Sequence, residues 1–206
     1  SYMYRYGCGR KGLITDSPPV VASQQNAGDP HYQPTIEFHR SIGENELVLL
    51  DLWGKLDEPD AVFADITWMG YTGPRVPKKL TQVFATVCDA RDAAIKFVQT
   101  AAREQREVRG WQVDHVARKI IDQAGYGNHF IHRTGHSLGE KVHGNGVHMD
   151  DYETHDNRRL LPGTGFTIEP GLYFDRFGVR TEINMYFGER EATVTGPIQS
   201  DILTLR

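Results

Sequence analysis

The residues best suited to chemistry in this chain are four acids that stand among apolar and β-branched neighbours. They are Asp51, Asp65, Glu169 and Glu182. Strand interiors normally exclude charge unless it is paired or bound to a metal. A single such acid is equally well explained as a strand-end carboxylate that reaches water. Four of them together favour a site that holds a cation.

Carboxylates that converge repel one another, and burial raises their pKa values toward neutralisation unless a cation keeps them ionised. Oxygen ligands with one imidazole suit Mn²⁺, Co²⁺, Fe²⁺ or Zn²⁺, whereas thiolates would indicate structural zinc. The acids therefore predict a metal centre that needs a nitrogen ligand.

Histidines are concentrated in one stretch of the chain that offers such a ligand. They are His129, His132, His136, His143, His148 and His155. His136 lies in Thr-Gly-His-Ser-Leu-Gly, where small neighbours allow close approach of backbone and ligand. A lone loop histidine is more often a surface residue, but the glycine setting favours His136.

Period-two geometry places a polar residue on the same strand face as three of the acids. The pairs are Thr67 with Asp65, Thr167 with Glu169, and Arg180 with Glu182. These residues either orient the ligands or are ordinary cross-strand partners.

The elements that must position these residues are strands on either side of two helices. Leu47–Trp53 and Ala61–Met69 flank an acidic turn and predict an antiparallel hairpin. Apolar residues at helical spacing predict helices from Lys78 to Gln105 and from Val113 to Ala124. Later strands are predicted at Gly165–Ile168, Gly171–Phe174, Val179–Phe187 and Ala192–Val194. Segregated runs of strands and helices indicate an α+β domain with an antiparallel sheet.

Size and charge bound the class of protein. A chain of 206 residues supports one substantial core, so a single domain over residues 1–206 is expected. The net charge of −4 argues against a nucleic-acid partner. No apolar run approaches the roughly 18 residues that a membrane-spanning helix needs. Two cysteines are too few for a disulfide framework, which favours the cytoplasm.

Five segments carry a resemblance to a known family. They are Asp51-Leu52-Trp53-Gly54, Ala64-Asp65-Ile66-Thr67, Thr134-Gly135-His136-Ser137-Leu138-Gly139, Thr167-Ile168-Glu169-Pro170-Gly171 and Val179-Arg180-Thr181-Glu182. In order, they resemble the ligand-bearing motifs of the pita-bread metallopeptidases, which include aminopeptidase P, prolidase and methionine aminopeptidase. The resemblance implies the α+β pita-bread (creatinase/aminopeptidase) fold, a curved antiparallel sheet covered by helices.

The resemblance also implies two divalent metal ions. Asp65 and Glu182 would bridge them, Asp51 would complete one site, and His136 with Glu169 would complete the other. Manganese is the expected metal, with cobalt, zinc and iron as alternatives. Metals about 4 Å apart require Asp65 and Glu182 to lie within about 8 Å of each other.

Catalytic roles follow from the same resemblance. His31 and His143 would bind substrate and stabilise or protonate groups at the scissile amide, and Glu169 would accept a proton. His132 and Arg180 are predicted to bind substrate. Asn184, where many members have a second acid, leaves the surroundings of the Glu182 bridge open.

The implied function is hydrolysis of the N-terminal Xaa-Pro bond of peptides or dipeptides by a water that bridges the metals. The substrate would carry a free amino terminus, and the chain is compatible with a homodimer. A non-catalytic peptide-binding or scaffold member of the fold and a methionine aminopeptidase are the alternatives. The family also has a helix pair before the segment at Leu13, so the catalytic domain is expected to be truncated at its N-terminus with that pair largely missing.

Overall fold

The strands of the structure fall into two runs separated by helices. The computed structural model describes Gly9 and residues 11–205. The first run is β1 (Leu13–Ile14), β2 (Val20–Ser23), β3 (Leu47–Leu56) and β4 (Ala64–Tyr71). The second is β5 (Ser137–Leu138), β6 (Thr164–Ile168), β7 (Gly171–Phe174), β8 (Phe177–Arg180), β9 (Ile183–Phe187), β10 (Ala192–Val194) and β11 (Leu203–Thr204). This order agrees with the predicted α+β arrangement.

Pairing divides the strands into three sheets. β1, β2, β3, β4 and β11 form one sheet, β10-β9-β6-β5 form the second, and β7 pairs with β8. Every pair is antiparallel except β11, which runs parallel to β4. In the β3–β4 hairpin Asp51 stands opposite Thr67, and Trp53 stands opposite Asp65. Side chains alternate between faces along a strand, so Asp65 and Thr67 share one face.

Two helices lie between the strand runs in the described part of the chain, α1 (Lys78–Arg103) and α2 (Gly110–Gln123). α1 ends before Gln105, which has a left-handed φ of 52°, and α2 is followed by Gly125 with φ of 82°. Such residues let the chain turn away from the helix axis. Neither helix combines the length and apolar character needed to cross a bilayer.

The helices cover one face of the second sheet. Phe84 and Val98 of α1 and Ile121 of α2 belong to the same buried cluster as Phe166 of β6 and Met185 of β9. The helices carry apolar residues at helical spacing and the strands carry them at alternate positions, so each has one apolar face, and these faces pack together. At the alternate positions, Thr167 of β6 bonds to the His136 backbone and Asn184 of β9 bonds to the Asp65 backbone.

The structure departs from the sequence expectations at two strands, and one expectation falls largely outside the described residues. Val179–Phe187 was predicted as one strand, but the chain leaves the sheet at Thr181 and Glu182 between β8 and β9. The short strand β5 was not predicted, because two residues carry no detectable periodicity. The expectation of a missing helix pair before Leu13 falls largely on residues 1–8 and 10, which lie outside the described residues.

Candidate metal centre

The five predicted ligands come from five different segments. Asp51 lies in β3 and Asp65 in β4, as expected. Glu169 directly follows β6, Glu182 directly precedes β9, and His136 directly precedes β5. The prediction that all four acids stand inside strands is therefore wrong for Glu169 and Glu182. A strand end frees the backbone to turn and lets these side chains point along the sheet edge.

Three of the predicted ligands converge closely. One ligand atom from each of Asp65, His136 and Glu182 lies within 4.8 Å of the others, which satisfies the predicted proximity. His136 Nε2 is 3.5 Å from Asp65 Oδ2, 3.4 Å from Glu169 Oε1 and 3.9 Å from Glu182 Oε1. Such distances are long for direct hydrogen bonds. They suit atoms gathered around a shared ion.

The buried oxygens of the cluster test whether a cation fits there. Within the described residues, Asp51 Oδ1, Asp65 Oδ1 and Glu182 Oε1 are buried and have no hydrogen-bond partner. A buried acceptor without a partner costs free energy unless something outside the protein satisfies it. Three such oxygens beside one imidazole form the hard, oxygen-rich donor set that divalent metals accept. The residues at this site therefore fit a divalent metal ion.

The second oxygen of two carboxylates is held by the protein. Arg180 Nη2 forms an ion pair and hydrogen bond with Asp51 Oδ2. Thr67 Oγ1 donates to Glu182 Oε2 at 2.7 Å and accepts from Arg180 Nε at 3.0 Å. The predicted pairings of Thr67 with Asp65 and of Arg180 with Glu182 are thus replaced by contacts across the sheets.

Two further residues fix the remaining acids. Thr167 Oγ1 donates to Glu169 Oε1 at 3.1 Å, as its shared strand position suggested. The Asn184 side chain accepts from the Asp65 backbone nitrogen at 3.0 Å and donates to the Asp65 carbonyl. Asn184 therefore anchors the backbone of Asp65. A carboxylate at this position could not do the same, because it has no N–H group to donate to the Asp65 carbonyl.

His136 turns its Nε2 toward the cluster, so this nitrogen is the one available to an ion. Its Nδ1 lies 3.2 Å from the carbonyl of Ser137, and a carbonyl only accepts, so Nδ1 carries the proton. The His136 backbone nitrogen donates to Thr167 Oγ1 at 2.9 Å. A backbone acceptor on the far nitrogen is the usual way in which a metal-binding histidine is oriented.

Burial without a cation distorts the proton affinities of the cluster. Desolvation raises the pKa of Asp65 to about 7, and it also raises the pKa values of Glu169 and Glu182. Burial alone would lower the pKa of His136, but Asp65 and Glu169 outweigh it and raise the pKa. The apo cluster thus holds protons in the place where a cation would put positive charge.

The cluster opens into a cavity of about 540 Å³ that is lined by all five predicted ligands. His31 and His143 line it as well. The His143 ring lies 4.3 Å from the His136 ring, between centroids. Burial, followed by the charge of His136, lowers the pKa of His143 to about 4, so it is neutral near pH 7. His31 is exposed, and its backbone nitrogen donates to Asp29 Oδ1 at 2.9 Å.

His132 also lines the cavity, but both of its ring nitrogens contact protein atoms. Nδ1 donates to the Arg133 carbonyl at 2.6 Å, so Nε2 accepts from the Tyr173 hydroxyl at 2.8 Å. Burial raises the pKa of Tyr173 to about 12 and lowers the pKa of His132 to about 3. Arg180 Nη1 in turn donates to the Tyr173 oxygen at 3.3 Å. His132 and Arg180 are thus linked through Tyr173, and Arg180 reaches the centre through Asp51.

Sequence reasoning missed Tyr173 and the pair of α2 formed by the buried Asp114 and the partly buried Arg118. Asp114 stands within the apolar stripe of its helix, and Arg118 follows it by four residues. A charge in an apolar stripe with an opposite charge at i+4 was the available signal. Tyr173 offered no comparable signal, because its partners lie far away in sequence.

Together, the α+β fold and the gathered carboxylates define a candidate metal centre of the pita-bread type. The model of metallopeptidase family M24 matches residues 2–189, and the chain belongs to that family.

The relatives of this chain include proteins with named activities. The Xaa-Pro dipeptidase of Lactobacillus helveticus is 34% identical over 175 residues, which are 84% of this chain and 43% of that protein. A dipeptidase structure from Pyrococcus horikoshii OT3 matches with a TM-score of 0.76 and 32% identity, over 91% of this chain and 48% of that one. A prolidase structure from Thermococcus sibiricus gives 0.75 and 32%, over 91% and 47%. The chain therefore spans about half the length of these relatives.

Proposed function

We propose that this chain is the catalytic region of a two-metal exopeptidase that hydrolyses the N-terminal Xaa-Pro bond of dipeptides or short peptides. The observation that carries the proposal is the convergence of Asp65, His136 and Glu182 within 4.8 Å, with buried carboxylate oxygens that have no partner among the described residues. The similarity to an Xaa-Pro dipeptidase and to a prolidase supports the substrate class.

Five residues would hold the ions, with Asp65 and Glu182 shared between them. Asp51 would serve one ion, while His136 and Glu169 would serve the other. When bound, divalent ions acidify water and polarise a carbonyl. Manganese is proposed because the donor set is mostly carboxylate, with cobalt, zinc and iron as alternatives.

The chain's own residues would then bind and protonate the substrate. Glu169 would accept the proton of the attacking water, and Thr167 Oγ1, which donates to Glu169 Oε1 at 3.1 Å, would orient its carboxylate. His143, neutral near pH 7, can donate a hydrogen bond to the oxygen that gains charge in the transition state. His31 faces the same cavity and is the second candidate for that role or for the leaving amine.

Arg180 and His132 would act on the shape of the cavity. Arg180 pairs with Asp51 Oδ2, which orients the carboxylate and leaves Asp51 Oδ1 for the proposed ion. Through Tyr173, the same guanidinium supports His132 at the cavity wall. Direct contact of either residue with substrate is part of the proposal.

The proposal extends to the setting of the protein. We propose that residues 1–206 act as one domain, that the chain works in the cytoplasm given its two cysteines, and that a homodimer is the form to test first.

A combined metal and activity assay tests the function. The purified chain should contain divalent metal by elemental analysis and should release the first residue from Xaa-Pro peptides. Asp65→Asn should abolish both properties. Asp57→Asn, an exposed acid after β3, is the matched control and should leave both unchanged. Metal without hydrolysis would favour a peptide-binding member of the fold, and release of methionine alone would favour a methionine aminopeptidase.

A further inference from the structure

The Asp114–Arg118 pair of α2, a buried acid with a partly buried arginine, is held by several hydrogen bonds. Asp114, which is not exposed, accepts from Arg118 Nε at 2.8 Å and from Arg118 Nη2 at 3.0 Å. Its Oδ1 also accepts from the Thr134 backbone nitrogen at 2.9 Å and from Thr134 Oγ1 at 2.8 Å. Arg118 donates onward to the carbonyls of Phe130 and His132, each at 2.9 Å. In the described part of the chain, the hydrogen-bond partners of the pair all lie in residues 130–134, and the Arg118 guanidinium also lies over the Tyr152 ring.

That loop leads directly to the candidate ligands. His136 follows Thr134 by two residues, and the Thr134 carbonyl accepts from the Glu169 backbone nitrogen at 2.7 Å. Gly135 between them is packed so closely that an added Cβ would meet the Thr167 carbonyl oxygen at 2.0 Å. A displacement of Thr134 is therefore transmitted to His136 and to Glu169 together.

Stability alone gives a weak reason for such a pair. Desolvation of two charges offsets much of their attraction, so apolar residues of similar size often serve a core equally well. A planar guanidinium and a carboxylate with four accepted bonds instead fix directions, which apolar packing does not. The position of the loop is what these bonds determine.

We propose that Asp114 and Arg118 are positioning residues that set His136 and Glu169 at the distance at which both can bind one metal ion. The inference rests on the proposed metal site. Neither residue contacts the ion in this scheme, and both act through Thr134 and the carbonyl of His132.

Metal affinity, measured by calorimetric titration of the metal-free chain with Mn²⁺, tests the role. Asp114→Asn, Arg118→Lys and Thr134→Val should each weaken binding by about 10 to 100-fold, the usual effect of losing a residue that orients ligands. The losses from Asp114→Asn and Thr134→Val should overlap instead of adding, because they remove the same link. The visible spectrum of the Co²⁺-loaded variants should also change, since it reports ligand geometry and not overall stability.

The control is Ile121→Val, which removes one methyl group from the buried face of the same helix and no hydrogen bond to residues 130–134. It should leave affinity and spectrum unchanged. If Asp114→Asn does not fold, Thr134→Val carries the test, because the ion pair stays intact. Wild-type affinity and an unchanged spectrum in Thr134→Val would overturn the inference.

Amide hydrogen exchange in the metal-free chain separates this inference from the proposed function. Thr134→Val and Asp114→Asn should speed exchange at the Glu169 amide, which donates to the Thr134 carbonyl, relative to amides inside α1, while the amide of residue 134 keeps its bond to the Met149 carbonyl at 2.9 Å. A wild-type chain that binds no Mn²⁺ would overturn the function, while faster exchange would still support the link from α2 to the loop. Unchanged exchange at the Glu169 amide would overturn the link itself.

Discussion

In two carboxylates of the candidate centre, one oxygen is bonded to a protein side chain and the other is free to bind an ion. Arg180 holds one oxygen of Asp51 and Thr67 holds one oxygen of Glu182, while the other oxygen of each is buried without a partner in the described structure. Each side chain is thus oriented before any ion arrives. Binding then costs less conformational entropy than it would with freely rotating acids.

A first prediction separates the shared ligands from the terminal one. Asp65→Asn or Glu182→Gln should remove both metals, because each acid is proposed to contact both ions. Asp51→Asn should mainly remove the ion that Asp51 alone completes. Elemental analysis after gel filtration gives the stoichiometry, with Asp57→Asn as the control. Equal stoichiometry in all three ligand variants would contradict the assignment of the bridges.

A second prediction concerns the cavity histidines. His143→Ala and His31→Ala should lower kcat/KM by about 10² to 10⁴-fold, the range for one lost acid-base or electrostatic group. Metal content should stay the same, since neither ring is a proposed ligand. His155→Ala, on an exposed histidine paired with Asp151, is the control for activity. Loss of metal in His143→Ala would show that this ring is a ligand.

Sequence reasoning predicted the residues of the centre better than their partners. Charge among apolar residues identified Asp51 and Asp65, and these side chains do face one cavity. The same pattern could not predict the hydrogen bond from Thr67 to Glu182, which joins residues 115 positions apart. Contacts of that kind depend on how two sheets meet, which no local pattern encodes.

At the scale of elements, helix and strand runs were predictable where they are long. The β3–β4 hairpin and both helices have clear periodicity, so their positions agree with expectation within a few residues. Strand ends near the centre were not predictable, because the chain leaves the sheet at Thr181 and Glu182 with apolar sequence on both sides. The site is built at these interruptions, where the backbone is free to aim a side chain inward.

A third prediction uses the tight contact between the His136 loop and β6. Gly135→Ala places a Cβ at 2.0 Å from the Thr167 carbonyl, a backbone atom that cannot rotate away. The substitution should destabilise the metal-free chain by about 1 to 3 kcal/mol through overpacking. Urea denaturation measures the change. Gly139→Ala, where no atom lies within 4 Å of the added Cβ, should stay within about 0.5 kcal/mol. Equal loss in both variants would contradict the packing argument.

At the scale of the whole molecule, the buried acids link folding to metal binding and pH. The pKa of Asp65 rises from 3.8 to about 7 in the metal-free fold, because burial disfavours its charged form. Between these pH values the folded chain keeps a proton that the unfolded chain releases, so stability falls as pH rises. The raised pKa values of Glu169 and Glu182 act in the same direction.

The fourth prediction is that metal stabilises the fold more at about pH 7.5 than at about pH 5.5, where protons already occupy the acids. Asp65 alone should contribute on the order of 2 kcal/mol to the difference. His132 has the opposite effect, since its lowered pKa reduces stability as pH falls. Because His132 is not a proposed ligand, its contribution is the same with and without metal and cancels in the difference. Urea denaturation with and without Mn²⁺ at both pH values measures the effect, and Asp65→Asn, which is expected to lose both metals, should abolish the metal-induced gain at both pH values. A metal-induced gain that is independent of pH would contradict a centre built on these acids.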